Sequence, residues 1–399
     1  MTRSRLDALI REQEQLDTLD REKIEAIQLK KLNRLLAQEK KRSGFYRNLP
    51  EKLDTLSELE TLPFTTEEDL AGNASGILLT SQSEIQRVLS DATSGTTGRT
   101  KRVFYTEGDL ENTIRLYMAG LGELVFPGSV TMICFPFSGP FGLGELISEA
   151  ITRLGARPLK LGPGRCYGEY REILEQEKPD TFVGMPVQLL SILRVCGRGS
   201  LRRALVSGDA MPESVEKQIE KILGSKLFPH YGSREMGMAG AVTCPAHEGM
   251  HLRENMIIAE IVDSEGNVLP KGNYGELVIT TVGMEAMPLI RYRTGDRTRI
   301  LPEPCPCGSV TIRLDRLRRL EGGAEIGAMD ETVFSVDGVV DACYARSGER
   351  IALQVKLAAS TDAEEAGRRL QALLPETVAV TVSSVSMSDR ALVTGKRRL

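Results

Sequence analysis

The sequence predicts an α/β protein: a large N-terminal domain of parallel sheet flanked by helices, with a small β-barrel-like lobe, followed by a small α+β domain. Three observations predict it. From about 80 to 225, short apolar runs alternate with helix-start signals, the pattern of a parallel sheet covered on both faces. From about 256 to 312, short strands bounded by turn residues dominate. After Arg313 the pattern changes to strands around a helix. A chain of 399 residues is also too long for one small core.

Residues 1 to about 42 read as helix, because Leu6, Leu9, Ile10, Ile24, Ile27, Leu29, Leu32, Leu35 and Leu36 recur mostly at three-to-four spacing. The charges between them are mixed, as on a packing helix or one that permits a homodimer. Val130 to Phe135 is a buried-strand candidate, with a helix over Gly144 to Leu154. Thr181 to Gly184 and Ala204 to Val206 are further strands. Each precedes a helix start, Pro186 and Met211-Pro212-Glu213, the second after the turn Ser207-Gly208-Asp209. Asp263-Ser264-Glu265-Gly266-Asn267 is a hairpin turn between Ile257 to Val262 and Val268-Leu269. The last module has strands at Ile351 to Val355 and Val378 to Val385 and a helix over Asp362 to Leu374. The domain boundary is expected near Asp315, giving 1–314, with a helical leading segment to about 70, and 315–399.

Composition excludes several functions. An apolar share of 41% with 27% charged residues is that of a soluble globular protein. A net charge of −4 gives no reason to expect nucleic acid or an anionic membrane as partner. Tryptophan is absent and aromatics make up 5%, which argues against a stacking platform for single strands. No apolar run reaches the roughly 18 residues of a membrane helix, and Met1-Thr2-Arg3-Ser4-Arg5 leads into charge rather than a signal-peptide core. Seven cysteines without such a signal favour a reducing cytoplasm.

The most informative stretch is Thr93-Ser94-Gly95-Thr96-Thr97-Gly98-Arg99-Thr100-Lys101. Glycines let the backbone approach an oxyanion closely, and successive N–H groups form an anion-binding nest. The spacing is not that of Walker A, so the reading is a phosphate loop of another kind, with a plain surface turn as the alternative. Cys244, Cys305 and Cys307 offer three thiolates, and His247 or His251 an imidazole. That set fits a closed, tetrahedral structural Zn2+ site; unpaired buried thiols or a disulfide are the alternatives. Cys134, Cys166, Cys196 and Cys343 have no partner spacing.

The loop is followed by His230-Tyr231-Gly232-Ser233-Arg234-Glu235, then Tyr292-Arg293-Thr294-Gly295-Asp296, and last Thr394-Gly395-Lys396. This ordered set resembles the adenylate-forming enzymes: acyl-CoA synthetases, peptide-synthetase adenylation domains and luciferases. Ser43-Gly44-Phe45-Tyr46-Arg47, the run Leu62 to Leu70 and the cysteine pattern resemble more closely the phenylacetate–CoA ligase and coenzyme F390 synthetase group. Thr100 stands where that family often has proline.

The resemblance implies attack by a carboxylate on the α-phosphorus of ATP, then thioester formation with CoA. Thr93, Ser94, Gly95, Thr96, Thr97, Gly98 and Lys101 would hold the β- and γ-phosphates. Glu235 would hold Mg2+, a hard cation that prefers carboxylate and phosphate oxygens. Tyr231 and Gly232 would lie at the adenine, and Asp209 in the segment lining its pocket. Asp296 and Arg313 would reach the ribose. Lys396 would bridge carboxylate and α-phosphate; a frayed basic tail is the bland alternative. The family pattern favours His251 over His247 at the zinc. Phe135 to Gly142 and Gly184-Met185-Pro186 fall where the family places acid-binding residues, suiting an aryl or arylacetic acid, with plain core as the alternative. The small C-terminal domain would be mobile, swinging about Asp315. Glu321 to Gly327 departs from the usual pattern near the thiol tunnel, so two other products stay open: transfer of AMP to a cofactor hydroxyl, or loading of a carrier protein. A non-catalytic nucleotide-binding protein is the third reading.

Overall fold

The computed structural model describes residues 4–42, 44–92, 100–320 and 323–391. They form two compact units, Met1–Glu123 with His230–Leu317 and Leu124–Pro229 with Arg318–Leu399. Among the described residues no helix is long and apolar enough to cross a membrane.

In the first unit the N-terminal segment is two helices, Arg5–Glu14 and Arg21–Arg42, not one. The chain leaves the first at Gln15, whose φ of 54° is left-handed, and the Asp20 carboxylate accepts the Lys23 N–H at 2.9 Å to start the second. Leu6, Ile10, Ile24, Leu32 and Leu36 form the buried stripe that the spacing predicts. Ile85–Ala92 and Thr100–Thr106 pair antiparallel, with Ala92 opposite Thr100. The second strand runs into helix Glu107–Leu121 through a capping box of Thr106 and Asp109. His230-Tyr231, Ala241–Thr243, Met250–Leu252 and Arg313–Leu314 pair antiparallel in turn. The barrel-like lobe takes the form of an antiparallel meander: Ile258–Val262, Gly275–Thr280 and Tyr292–Thr298. Its hairpin turn is closed by the Asp263 N–H donating to the Asn267 carbonyl at 3.0 Å, with Gly266 at φ 92°.

In the second unit Arg157–Lys160, Val130–Ile133, Thr181–Gly184 and Arg203–Val206 lie parallel in that order, and Leu205 pairs with Phe228 beyond them. Helices Leu143–Arg153, Tyr167–Gln176, Pro186–Cys196 and Glu213–Leu223 connect the strands. The C-terminal module adds helix Gly323–Ser335, the sheet Val339–Ser347, Arg350–Leu357 and Val378–Ser384, and helix Ala363–Leu373 with Asp362 as its cap. Phe334, Val339, Leu353 and Leu370 share one buried core with Phe182, Val187, Leu190 and Ile219. Each such side chain contributes about 1.5–3 kcal/mol on burial. Glu331 accepts the Glu213 and Ser214 N–H groups at 2.5 and 2.9 Å, so a module residue caps helix Glu213–Leu223.

Candidate active site and metal centre

Thr93, Ser94, Gly95, Thr96, Thr97, Gly98 and Lys396 lie outside the described residues. The strands on either side of the loop are described, and the second of them carries Lys101. Its ammonium lies 2.6 Å from Glu235 Oε1 and 3.3 Å from Glu67 Oε1. The Lys101 and Glu235 side chains are 15% and 7% exposed. Burial opposes the charge on Lys101, but the two carboxylates outweigh it and raise its pKa. Burial likewise pushes the Glu235 carboxyl up, and contact with Lys101 more than reverses that, leaving it below the ordinary carboxylate value. Both groups are therefore held charged in a nearly dry place. Glu67, the third member, falls in the Leu62 to Leu70 run, and the Thr66–Asp69 capping box starts its helix.

Glu235 sits in the single turn Arg234–Met236. The Tyr105 hydroxyl donates to the Arg234 carbonyl at 2.7 Å, and Gly237 at φ 78° ends the turn. Gly232 is required by space: a Cβ there would lie 2.5 Å from the Met238 carbonyl oxygen. Tyr231 donates its hydroxyl to Asp296 Oδ2 at 2.8 Å, so the adenine and ribose candidates touch. Asp296 is set by its neighbours. Gly295, at φ 69°, donates its N–H to Glu276 Oε1 at 3.0 Å. Arg293 donates to Glu276 Oε2 from Nε at 2.8 Å and from Nη2 at 2.5 Å.

Arg313 is buried, its guanidinium donating to the carbonyls of Glu248 (2.6 Å) and Glu303. Asp315 is tied to the first unit on several sides. Its carboxylate accepts from Tyr274 and from Arg299, each at 2.7 Å, and its backbone N–H donates to the Arg299 carbonyl at 3.0 Å. The chain passes to the second unit after Leu317.

In the second unit, Asp209 Oδ1 accepts the Ala210 N–H at 2.8 Å. A Cβ on Gly208 (φ 86°) would lie 3.1 Å from Phe135 and 3.7 Å from Met185. The two stretches read as acid-pocket walls thus meet beside the Asp209 turn. Phe135 and Met185 are buried.

The cysteine cluster closes with His251, whereas His247 lies in the turn after Cys244, its N–H bonded to the Cys244 carbonyl at 2.9 Å. Cys244 Sγ is 3.6 Å from Cys305 Sγ, and Cys307 Sγ is 3.4 Å from His251 Nε2. All four ligand atoms lie within 4.8 Å of one another. Two ligands of a tetrahedral zinc at bonds of about 2.0–2.3 Å stand roughly 3.5–3.8 Å apart, so the donor set fits that ion. Burial raises the Cys244 and Cys307 thiols and pulls His251 down to about 4.

Comparison with known proteins gives the family context. Residues 53–286 match the family model described as AMP-binding enzyme. Phenylacetate-coenzyme A ligase of Thermus thermophilus is 31% identical over 76% of this chain and 71% of its own length. The protein of the same name from Escherichia coli is 28% identical over 72% and 69%. Among solved structures, 2-hydroxyisobutyryl-CoA ligase in the postadenylation state superposes with a TM-score of 0.76 at 20% identity, covering 92% of this chain and 87% of that one. At that identity the likeness is one of fold.

Proposed function

The chain belongs to the AMP-binding enzyme family and is an AMP-forming ligase; on that premise we propose that it activates an aryl or arylacetic acid with ATP and passes the acyl group to CoA. The observation that carries the reading is the buried Lys101–Glu235 pair at 2.6 Å. It joins a cation on strand Thr100–Thr106 to a carboxylate of the Arg234–Met236 turn, both held charged.

In the first half-reaction a carboxylate oxygen of the acid attacks the α-phosphorus, and the bond to pyrophosphate breaks. The loop residues and Lys101 hold the β- and γ-phosphates. Glu235 offers one carboxylate to Mg2+, which when bound neutralises phosphate charge. Tyr231 lies against adenine while its hydroxyl orients Asp296, which accepts from the ribose hydroxyls. Lys396 neutralises charge at the α-phosphate as it develops. In the second half-reaction the CoA thiol attacks the acyl carbon and AMP leaves. Residues 315–399 swing about Asp315 between the two steps; the bonds of Asp315 to Tyr274 and Arg299 support it as the fixed end. Cys244, His251, Cys305 and Cys307 hold a structural Zn2+, and a reducing, cytoplasmic setting keeps these thiols available. The names of the relatives and the Phe135–Met185 wall support the aromatic acid class.

The test is a single turnover with phenylacetate, benzoate and a fatty acid, read by mass. An aryl acyl-adenylate that converts to the CoA thioester is the expected outcome. An AMP adduct of another acceptor, with no thioester, would replace the ligase by a transferase.

A further inference from the structure

We propose that Asp7, on the first helix, fixes the tautomer of His251 through two hydroxyl groups, and so couples metal binding to the docking of that helix. The inference rests on the zinc reading of the cysteine cluster. Ser309 donates its Oγ–H to Asp7 Oδ1 at 2.5 Å, across 302 positions of sequence. Ser309 Oγ stands 2.9 Å from Thr311 Oγ1, which stands 2.9 Å from His251 Nδ1. All four residues are buried, none more than 8% exposed.

The direction of each bond follows from the number of hydrogens. A carboxylate only accepts, and a hydroxyl carries one hydrogen. The Ser309 hydrogen is committed to Asp7. The hydrogen between Ser309 and Thr311 therefore comes from Thr311, whose own N–H also donates to Ser309 Oγ at 3.3 Å. The Thr311 oxygen is left to accept, so the imidazole must donate from Nδ1. Nε2 then carries a lone pair and faces Cys307 Sγ at 3.4 Å. That is the form of histidine that binds a metal, and the partner of the other ring nitrogen is what selects it.

Coupling of this kind is reciprocal. If Asp7 holds the tautomer that binds zinc, zinc holds the relay that helps dock Arg5–Glu14. Helix Arg5–Glu14 also docks through an apolar stripe that includes Leu6, Leu9 and Ile10 and through Gln13 and Glu14, which bond Arg253 and Asn255; the relay is the polar attachment that reaches the cysteine–histidine cluster.

The experiment uses the full chain as purified. Zinc is counted by elemental analysis, and its release to a chromogenic chelator is timed in the parent, Asp7→Ala, Thr311→Val and Thr311→Ser. Amide hydrogen exchange over Arg5–Glu14 is followed in the parent before and after chelation. Asp7→Ala, which removes the acceptor, and Thr311→Val should release zinc on the order of 10-fold faster, the usual scale for a residue supporting a metal ligand. Thr311→Ser, which keeps the hydroxyl, should release it like the parent. Exchange in the helix should rise once zinc is removed. Equal release rates in all four proteins, or exchange that ignores the metal, would overturn the relay while leaving the zinc site intact. A chain that carries no zinc would overturn both.

Discussion

At the scale of single residues, the proposed site holds charges where water is scarce. Lys101 and Glu235 keep each other ionised, so neither is replaceable by a neutral isostere. Glu235→Gln should lower adenylation by about 10²-fold, the scale of one lost transition-state contact. It should also cost about 3 kcal/mol of stability, because the Lys101 ammonium stays buried with Glu67, at 3.3 Å, as its remaining carboxylate. Pyrophosphate exchange and urea unfolding on the same preparation check the two effects. A second residue sets a pH dependence. His230 is stacked on Tyr117 with ring centres 4.7 Å apart, and burial pulls its pKa down to about 3 from an ordinary 6.5. Between those values the unfolded chain binds a proton that the folded chain does not. The stability it supports is therefore fully present above about 6.5 and lost as pH falls toward 3. At pH 5 the loss is about 2 kcal/mol. His230→Gln should flatten the unfolding free energy between pH 7 and 5, and an unchanged slope would remove His230 from the account. Tyr231, Glu235 and Asp296 could be singled out in the sequence because each sits in a dense local motif. Asp7 and Thr311 could not, since each reaches its partner across the fold and nothing in its own neighbourhood marks it; Glu67 lies in the Leu62 to Leu70 run, but its pairing with Lys101 is set by the fold.

At the scale of elements, glycine geometry and helix capping set the local backbone. Gly232 lets the backbone pass Met238, so Gly232→Ala should shift the Tyr231 to Glu235 turn and lower activity at least 10-fold, on the order of a misplaced catalytic geometry. Nucleotide binding and turnover measured together check it; a fully active alanine variant would show that the turn tolerates the clash. Asp362 accepts the Glu364 and Glu365 N–H groups at 3.0 and 3.1 Å. Asp362→Ala should cost about 1 kcal/mol in denaturant unfolding. Elements with strong periodicity or turn chemistry were legible, among them Thr181–Gly184, the 263–267 hairpin turn and Ala363–Leu373. Arg157–Lys160 was not, because an edge strand carrying a proline and two exposed charged ends shows no apolar run. The break between the first two helices was also hidden: the stripe has a gap from Ile10 to Ile24 but no glycine or proline stands in it, and the Asp20 cap and the left-handed Gln15 mark it in the structure.

At the scale of the whole molecule, the chain orders its motifs along two halves of a reaction. Lys396→Ala should cut adenylation by roughly 10²–10³ while leaving CoA attack on a supplied acyl-adenylate nearly unchanged, because the proposed swing brings that lysine to the site for the first step alone. Loss of both steps together would argue against a lysine that serves one half-reaction. The packing of Phe334, Val339 and Leu353 into the core of residues 124–229 has a further consequence. Any swing of the C-terminal module has to break that packing, and sequence periodicity carried no sign of it. The measurement that tests the central claim most directly is acid-dependent ATP–pyrophosphate exchange across aryl, arylacetic and fatty acids, each followed by AMP release with and without CoA. The account predicts exchange with an aryl or arylacetic acid and AMP release that requires CoA. Measurable ATP binding without exchange for any acid would contradict it.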